Sequence, residues 1–368
     1  MRAAVFREVG APLEIEELEI AEPAAGEVLV RLAASGVCHS DFHIVVGEWE
    51  AIPRPVVLGH EGAGTVVEVG DGVDHVGVGD QVVLSWSPNC GRCRYCISGR
   101  PQLCELAEQT AYQSVMFDGT TRLRRGEESI HSFMTVGSFG EYAVVPASGA
   151  IAIGEDLPLD RAALVGCAIA TGWGAAVNTV TISPGMSAAV IGCGGVGLSA
   201  LQGAANCSAL PLIAIDTNDS KLELARKLGS THVVNPERED PAQVVEAITR
   251  GRGVDFAFEA IGTGATIEQA TELLGPGGTA VLIGQPPDGV KVSVDPFRMT
   301  DREHSIVGTN YGSCNPAIDF PRILGLYRAG SIDLDSMVSR RIGIEEINDA
   351  LDAIRRREEV RSVIVYHG

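Results

Sequence analysis

The sequence predicts an α/β protein of two domains: a doubly wound parallel sheet, and beside it a β-rich domain. Three observations predict this. At 368 residues the chain is too long for one ordinary core. Its first part carries short strand-like runs separated by Gly and Pro clusters. From about Ala162 onward, apolar strand-like runs alternate with helical ones. That alternation implies right-handed βαβ units and a parallel sheet covered on both faces.

In the first part Val28–Leu32, Thr65–Glu68, Gln81–Leu84 and Tyr142–Val145 read as strands of an irregular antiparallel or barrel-like domain. Residues 101–138 are polar and mixed, and read as a long surface excursion. In the second part Ser187–Ile191, Pro211–Asp216, His232–Val234, Val254–Phe258, Thr279–Ile283 and Ser305–Gly308 read as strands. Gly195–Asn206, Ser220–Leu228, Pro241–Thr249 and Gly264–Leu273 read as the helices between them. Two more helices, Pro316–Ala329 and Ile344–Arg355, precede a closing strand, Arg361–Tyr366. The pattern assigns residues 169–311 to the parallel sheet, and residues 1–168 with 312–368 to the other domain.

Composition bounds the partners. A chain that is 45% hydrophobic and 21% charged is that of a soluble globular protein. The net charge of −20 argues against nucleic acid and anionic membrane, because both need a basic surface. No apolar run reaches the roughly 18 residues that span a bilayer. Met1-Arg2-Ala3-Ala4-Val5-Phe6 reads as a first strand rather than the apolar core of an export signal, so a cytoplasmic location is expected. In such a chain the nine cysteines are not expected to form disulfides, and the clustered ones point to metal.

Ala188-Ala189-Val190-Ile191-Gly192-Cys193-Gly194-Gly195-Val196-Gly197-Leu198 is a strand running through Gly-x-Gly-x-x-Gly into a helix. Gly192 permits the tight turn, Gly194 lets the backbone approach a pyrophosphate, and Gly197 lets helix and strand pack closely. The N–H groups of Gly195 and its neighbours at the helix start supply partial positive charge for phosphates. Taken alone, such glycines also suit a structural turn. Here a second apolar strand ends at Asp216, about twenty residues past the last glycine. A carboxylate there accepts hydrogen bonds from ribose hydroxyls and repels a 2′-phosphate. No Arg stands nearby to neutralise that phosphate, and Lys221 reaches only the ribose. The expectation is a Rossmann-type sheet that binds NAD. Cys193, inside the loop, reads as a small filler.

Cys90-Gly91-Arg92-Cys93-Arg94-Tyr95-Cys96 and then Cys104 give C-x2-C-x2-C-x7-C. Four thiolates at such spacing can surround one Zn²⁺ at about 2.3 Å. An iron–sulfur cluster is the chemical rival, but its compact form has a shorter last spacing followed by proline. With no open coordination position, this zinc holds a loop and does no chemistry.

Three further ligand types stand in separate segments. Cys38 lies in Gly36-Val37-Cys38-His39-Ser40-Asp41-Phe42-His43, His60 in Gly59-His60-Glu61-Gly62, and Cys167 in Val165-Gly166-Cys167-Ala168. Two thiolates and an imidazole leave the fourth position of Zn²⁺ open to water or substrate. Spacing alone does not assemble them, and a lone Cys is more often a core residue.

Together these segments resemble the zinc-dependent medium-chain alcohol dehydrogenases, from the first strand to the last. Gly-His-Glu, the four-cysteine cluster, Gly192–Gly197 with Asp216, and Cys-His-Ser-Asp carry the likeness. The resemblance implies a GroES-like catalytic domain, two Zn²⁺ per chain and NAD. It implies that Cys38, His60 and Cys167 bind the catalytic zinc with Glu61 behind it, and that Asp41 orients His60. It implies that Ser40 and His43 form a proton path, that Thr171 and Val196 flank the nicotinamide, and that His39 and Arg361 meet the pyrophosphate. His39 stands where many relatives carry Arg; it is a weaker, pH-dependent anion partner. Trp49, Trp86, Phe133 and Met134 fall where the family lines its substrate pocket, or are plain core. The implied reaction moves a hydride between a primary aliphatic or aromatic alcohol, or its aldehyde, and NAD.

Two alternatives keep the scaffold: oxidation of a formaldehyde adduct of glutathione or mycothiol, and a dehydrogenase that retains its NAD and uses an external acceptor. A non-catalytic NAD-binding protein, or a zinc-free quinone reductase relative, would normally lack the ligand set found here. The resemblance also implies a homodimer over a tetramer, because the segment 105–138 matches the family's long version, usual in dimers; an edge strand near Val292 or Val307 could pair across the two-fold axis.

Overall fold

The computed structural model describes residues 1–366. The chain divides into two compact units, Met1–Cys167 with Asn315–Leu326 and Leu334–Gly368, and Ala168–Cys314 with Tyr327–Asp333.

The first unit holds two sheets. One orders Glu14–Glu17, Arg2–Phe6, Val56–Val57, Glu128–Ser132, Leu123–Arg125 and Glu19–Ile20. The other orders Ala150–Ala152, Gln81–Leu84, Glu61–Val69, Glu27–Gly36, Ser362–Val365 and Arg340–Ile342, with Tyr142–Pro146 also paired to Glu27–Gly36. The long strand Glu27–Gly36 shows why its residues choose β structure. Val28, Val30, Leu32 and Ala34 are buried on one face while Arg31 is exposed on the other. Val66, Val82, Leu84 and Val145 close the core over that buried face. Each such side chain contributes about 1.5–3 kcal/mol on burial.

The second unit is a six-stranded parallel sheet in the order His232–Val234, Leu212–Ile215, Ala188–Ile191, Val254–Glu259, Leu274–Leu282, Ser305–Gly308. In chain order this is 3-2-1-4-5-6, the doubly wound Rossmann arrangement. Ala188–Ile191 and Leu212–Ile215 are buried at every position, as central parallel strands covered on both faces must be. The order reverses beside Ala188–Ile191, so a crevice opens at its carboxyl end, where the glycine loop begins.

One expectation is corrected. Residues 101–138 are a surface excursion only in part. They form the helix Glu105–Ala111 and the hairpin Leu123–Arg125 with Glu128–Ser132, which pairs with Val56–Val57. Met116, Ile130 and Phe133 are buried there. Residues 124–129 at the hairpin tip are exposed, as the charged sequence suggests, but several of the segment's charges are paired. Arg122 is nearly buried between Glu27 at 2.6 Å and Asp118 at 2.7 Å. Several strands, among them Glu14–Glu17 and Val56–Val57, are too short to leave a periodic signal.

Candidate metal centres and cofactor loop

Strand register assembles the first site. Glu27–Gly36 pairs antiparallel with Glu61–Val69, with Gly36 opposite Glu61. Cys38, two residues past one strand, therefore meets His60, one residue before the other. Ser362–Val365 pairs on the opposite side with Val363 opposite Gly36, and brings Arg361 to the same end. The 3₁₀ turn Ala163–Gly166 delivers Cys167. Cys38, His60, Glu61 and Cys167 are all buried, and their ligand atoms lie within 4.8 Å of one another.

Cys38 caps the helix His39–Val45, and Asp41 closes the cap by accepting the Cys38 N–H at 3.0 Å. The same buried carboxylate accepts the Gly59 N–H at 3.0 Å and faces His60 Nδ1 at 3.3 Å. With Nδ1 given to Asp41, Nε2 is the nitrogen left for a metal. Burial opposes a charge on His60, yet the neighbouring Asp41 and Cys38 hold its pKa well above the usual value. A hydrogen bond from Cys167 holds the Cys38 thiol well below its usual range, and that same bond with burial pushes Cys167 up. Two sulfurs, an imidazole and a carboxylate, close together and out of water, form a donor set suited to a divalent cation.

Arg361, expected at the pyrophosphate, is 6% exposed and engaged within this unit. Its guanidinium donates to the Val37 carbonyl at 2.9 Å and pairs with Glu61 at 3.4 Å. Its Nε is buried with no hydrogen-bond partner. His39 keeps an exposed edge. Burial of the rest of the ring, then the charge of His43, brings its pKa down to about 4. At neutral pH its ring offers an N–H donor rather than a full charge.

Ser40 lies three residues before His43 on the same helix, which places both on one face. His43 donates or accepts at Nδ1 against Glu48. Its ring stacks on Trp49 at 4.8 Å and meets His39 edge-on at 4.7 Å. Phe133 packs edge-on against His60 at 5.4 Å. Phe133 and Met134 are buried, and Trp49 and Trp86 partly so, all in the same core cluster. Glu48 is the residue that sequence reasoning passed over. Its signal was an acid placed just past the end of the helix that carries His43.

The second cluster is local. Cys90, Cys93, Cys96 and Cys104 also place their sulfurs within 4.8 Å of one another. Cys90 N–H points at Cys104 Sγ at 3.2 Å, and Cys93 N–H at Cys90 Sγ at 3.3 Å. Backbone N–H groups of Cys96 and Glu105 lower the Cys93 pKa to about 6, while burial and the Cys93 sulfur push Cys96 up to about 12. Four crowded thiols with backbone donors aimed at them fit one tetrahedral Zn²⁺.

In the parallel-sheet unit, Gly192 turns at φ +91°, a region that disfavours any side chain. A Cβ on Gly197 would run into the Gly192 carbonyl, whereas one on Gly194 would meet only open space. Gly194 caps the helix Gly195–Asn206. Asp216 accepts the Cys193 N–H at 2.7 Å and the Asn218 N–H at 2.8 Å, so its carboxylate is fixed beside the loop. Lys221 follows on the helix Asp219–Lys227. Cys193 is fully buried, and burial raises its thiol pKa, so it is an inert filler. Thr171, on the helix Ala168–Gly174, has a buried hydroxyl with no hydrogen-bond partner. The backbone of that helix at Gly172 lies against the Val196 carbonyl.

Residues 24–155 match the alcohol dehydrogenase GroES-like domain, and residues 195–328 match the zinc-binding dehydrogenase domain. The chain is 40% identical over 371 residues to the NDMA-dependent alcohol dehydrogenase of Amycolatopsis methanolica, covering 99% of this chain and 98% of that one. It is also 40% identical to an S-(hydroxymethyl)glutathione dehydrogenase of Synechocystis, over 99% of each. Among solved structures, the benzyl alcohol dehydrogenase of Acinetobacter calcoaceticus is similar with a TM-score of 0.94 and 33% identity, over 100% of this chain and 99% of that one. A zinc-binding dehydrogenase of Sinorhizobium meliloti bound to NADP is similar with a TM-score of 0.81 and 31% identity, over 99% of each.

Proposed function

The chain belongs to the zinc-dependent medium-chain alcohol dehydrogenase family, and on that premise we propose that it oxidises primary aliphatic or aromatic alcohols with NAD at a zinc held by Cys38, His60 and Cys167. The observation that carries this is the buried group Cys38, His60, Glu61 and Cys167, whose ligand atoms lie within 4.8 Å of one another.

Zinc there supplies a Lewis acid, which acidifies an alcohol hydroxyl or polarises an aldehyde carbonyl. NAD supplies the hydride acceptor. The chain's own residues do the rest. Asp41 fixes the His60 ring, and Phe133 walls it from water. Arg361 and Glu61 balance charge beside the ligand set. The Ser40 hydroxyl passes the alcohol proton toward His43, which takes it at Nε2. The loop Gly192, Gly194, Gly195, Val196 and Gly197 binds the pyrophosphate through backbone N–H groups. Asp216 and Lys221 hold the ribose, and Thr171 and Val196 flank the nicotinamide. Cys90, Cys93, Cys96 and Cys104 hold a second, structural zinc.

The test is zinc content together with NADH formation from benzyl alcohol and primary aliphatic alcohols. The expected result is two zinc ions per chain, falling to one with activity lost in Cys38→Ser. One zinc in both proteins, with no NADH from any alcohol, would reject the reading. A second reading, oxidation of a thiol adduct of formaldehyde, is favoured by the 40% identity to the Synechocystis dehydrogenase. Formaldehyde turnover that requires added glutathione or mycothiol would select it.

We further infer a homodimer formed through the parallel-sheet unit. Val290, Val292, Val294 and Phe297 are exposed in one stretch leading toward the edge strand Ser305–Gly308, and Phe297 is 74% exposed. An apolar stripe beside an unpaired sheet edge suits pairing with a second copy. Phe297→Glu should convert the dimer to monomer in sedimentation; a wild-type monomer would refute it.

A further inference from the structure

The helix His39–Val45 ends in a left-handed turn that fixes the residue after it. Gly47 takes φ +79°, and a Cβ there would also lie 2.7 Å from Val9 Cγ1, so no other residue fits. The Gly47 N–H donates to the Ile44 carbonyl at 3.1 Å, and the Glu48 N–H reaches back to the His43 carbonyl at 2.8 Å. These are the two bonds of a Schellman motif, with Glu48 and His43 as its paired ends. That pair commonly makes an apolar contact. Here it makes a hydrogen bond between the Glu48 carboxylate and His43 Nδ1. Trp49, the next residue, stacks beneath the same ring with its plane at 20°. Backbone, carboxylate and indole thus hold one imidazole from three directions.

From this we propose that Glu48 is the positioning residue of the proton path: it accepts the His43 Nδ1 proton, so that Nε2 carries the lone pair that receives the proton from substrate. The inference deepens the reading above and rests on His43 serving that path. A buried or half-buried imidazole has two neutral tautomers, and only one presents Nε2 as a base. An acceptor-only carboxylate at Nδ1 selects that one. When Nε2 takes the proton the ring becomes a cation, and the facing carboxylate stabilises it. This is the division of labour of a triad in which an acid holds the tautomer of a histidine base. No atom is consumed: the proton enters at Nε2 and leaves to water. It leaves from Nε2, so the Nδ1 proton stays in the hydrogen bond to Glu48 throughout.

The experiment uses the zinc-loaded full chain as wild type, Glu48→Ala and Glu48→Gln. The ¹⁵N signals of the His43 ring read the tautomer directly, and single-turnover oxidation of benzyl alcohol reads the chemical step. The expected wild-type ring carries its proton on Nδ1. In Glu48→Ala the proton moves to Nε2, the single-turnover rate falls about ten- to hundred-fold, and KM stays within about two-fold. Glu48→Gln keeps an acceptor oxygen without the charge; it should retain the tautomer and fall between the two in rate. The proposal is overturned if the Nδ1 proton persists in Glu48→Ala, or if it moves and the rate does not. A wild-type protein inactive on every alcohol would count against the proposed function, and the ring spectrum would still decide whether Glu48 sets the tautomer.

Discussion

Asp41 Oδ1 lies 3.3 Å from His60 Nδ1, and the same carboxylate accepts the backbone N–H groups of Cys38 and Gly59. One buried acid therefore ties together the backbone of one proposed ligand and the ring of another. Removing it should loosen both. Asp41→Ala is expected to lower affinity for the catalytic zinc about ten- to hundred-fold. A chelator titration should then strip one zinc early while the other resists. Equal loss of both ions would count against this role.

Cys93 belongs to the other cluster, and its loss should separate the two sites. In Cys93→Ser one zinc is expected to go, with a drop in stability on the order of several kcal/mol. The zinc at Cys38 and residual alcohol turnover should remain below the new unfolding temperature. Elemental analysis and a thermal melt on the same sample check it.

Asp216 is oriented by two backbone N–H groups beside the glycine loop. In Asp216→Ser the carboxylate no longer accepts from the ribose, so kcat/KM for NAD should fall about tenfold or more. Turnover with NADP should rise, because a 2′-phosphate no longer meets a negative charge. Parallel kinetics with both cofactors measure the ratio; an unchanged ratio contradicts the assignment.

The charged segment that turned out to be structural carries its own pH dependence. Burial works against ionisation of Asp118, but Thr120 and Arg122 hydrogen bonds win and lower its pKa to about 2. The unfolded value is about 3.9. A depressed acid contributes stability that is fully present above the unfolded value and is lost as pH falls through the folded one. The gap in melting temperature between wild type and Asp118→Asn should hold steady above about pH 4 and close toward pH 2. A gap that does not change with pH would mean the Arg122 contact contributes nothing electrostatic.

Sequence alone determined the features that are local. Alternating strand and helix runs after Ala162 dictate a parallel sheet, because each apolar run needs covering on both faces. Gly192, Gly194 and Gly197 are legible because a turn, a close approach and a helix start lie within a few residues. The four cysteines are legible because Cys90 to Cys104 close one loop. What tertiary structure decided is whatever depends on strand register. Cys38, His60 and Cys167 lie far apart in the chain. They meet because Gly36 pairs with Glu61 and the turn ending at Gly166 packs behind that strand. A slip of one residue would turn every side chain in the pair to the opposite face. Arg361 reaches Glu61 by the same register, and Arg122, within residues 101–138, is nearly buried because it pairs with Glu27 on a strand distant in sequence. Glu48 stands between the two cases. Its distance from His43 is short and visible in the sequence, but only the left-handed turn at Gly47 aims its carboxylate back at the ring.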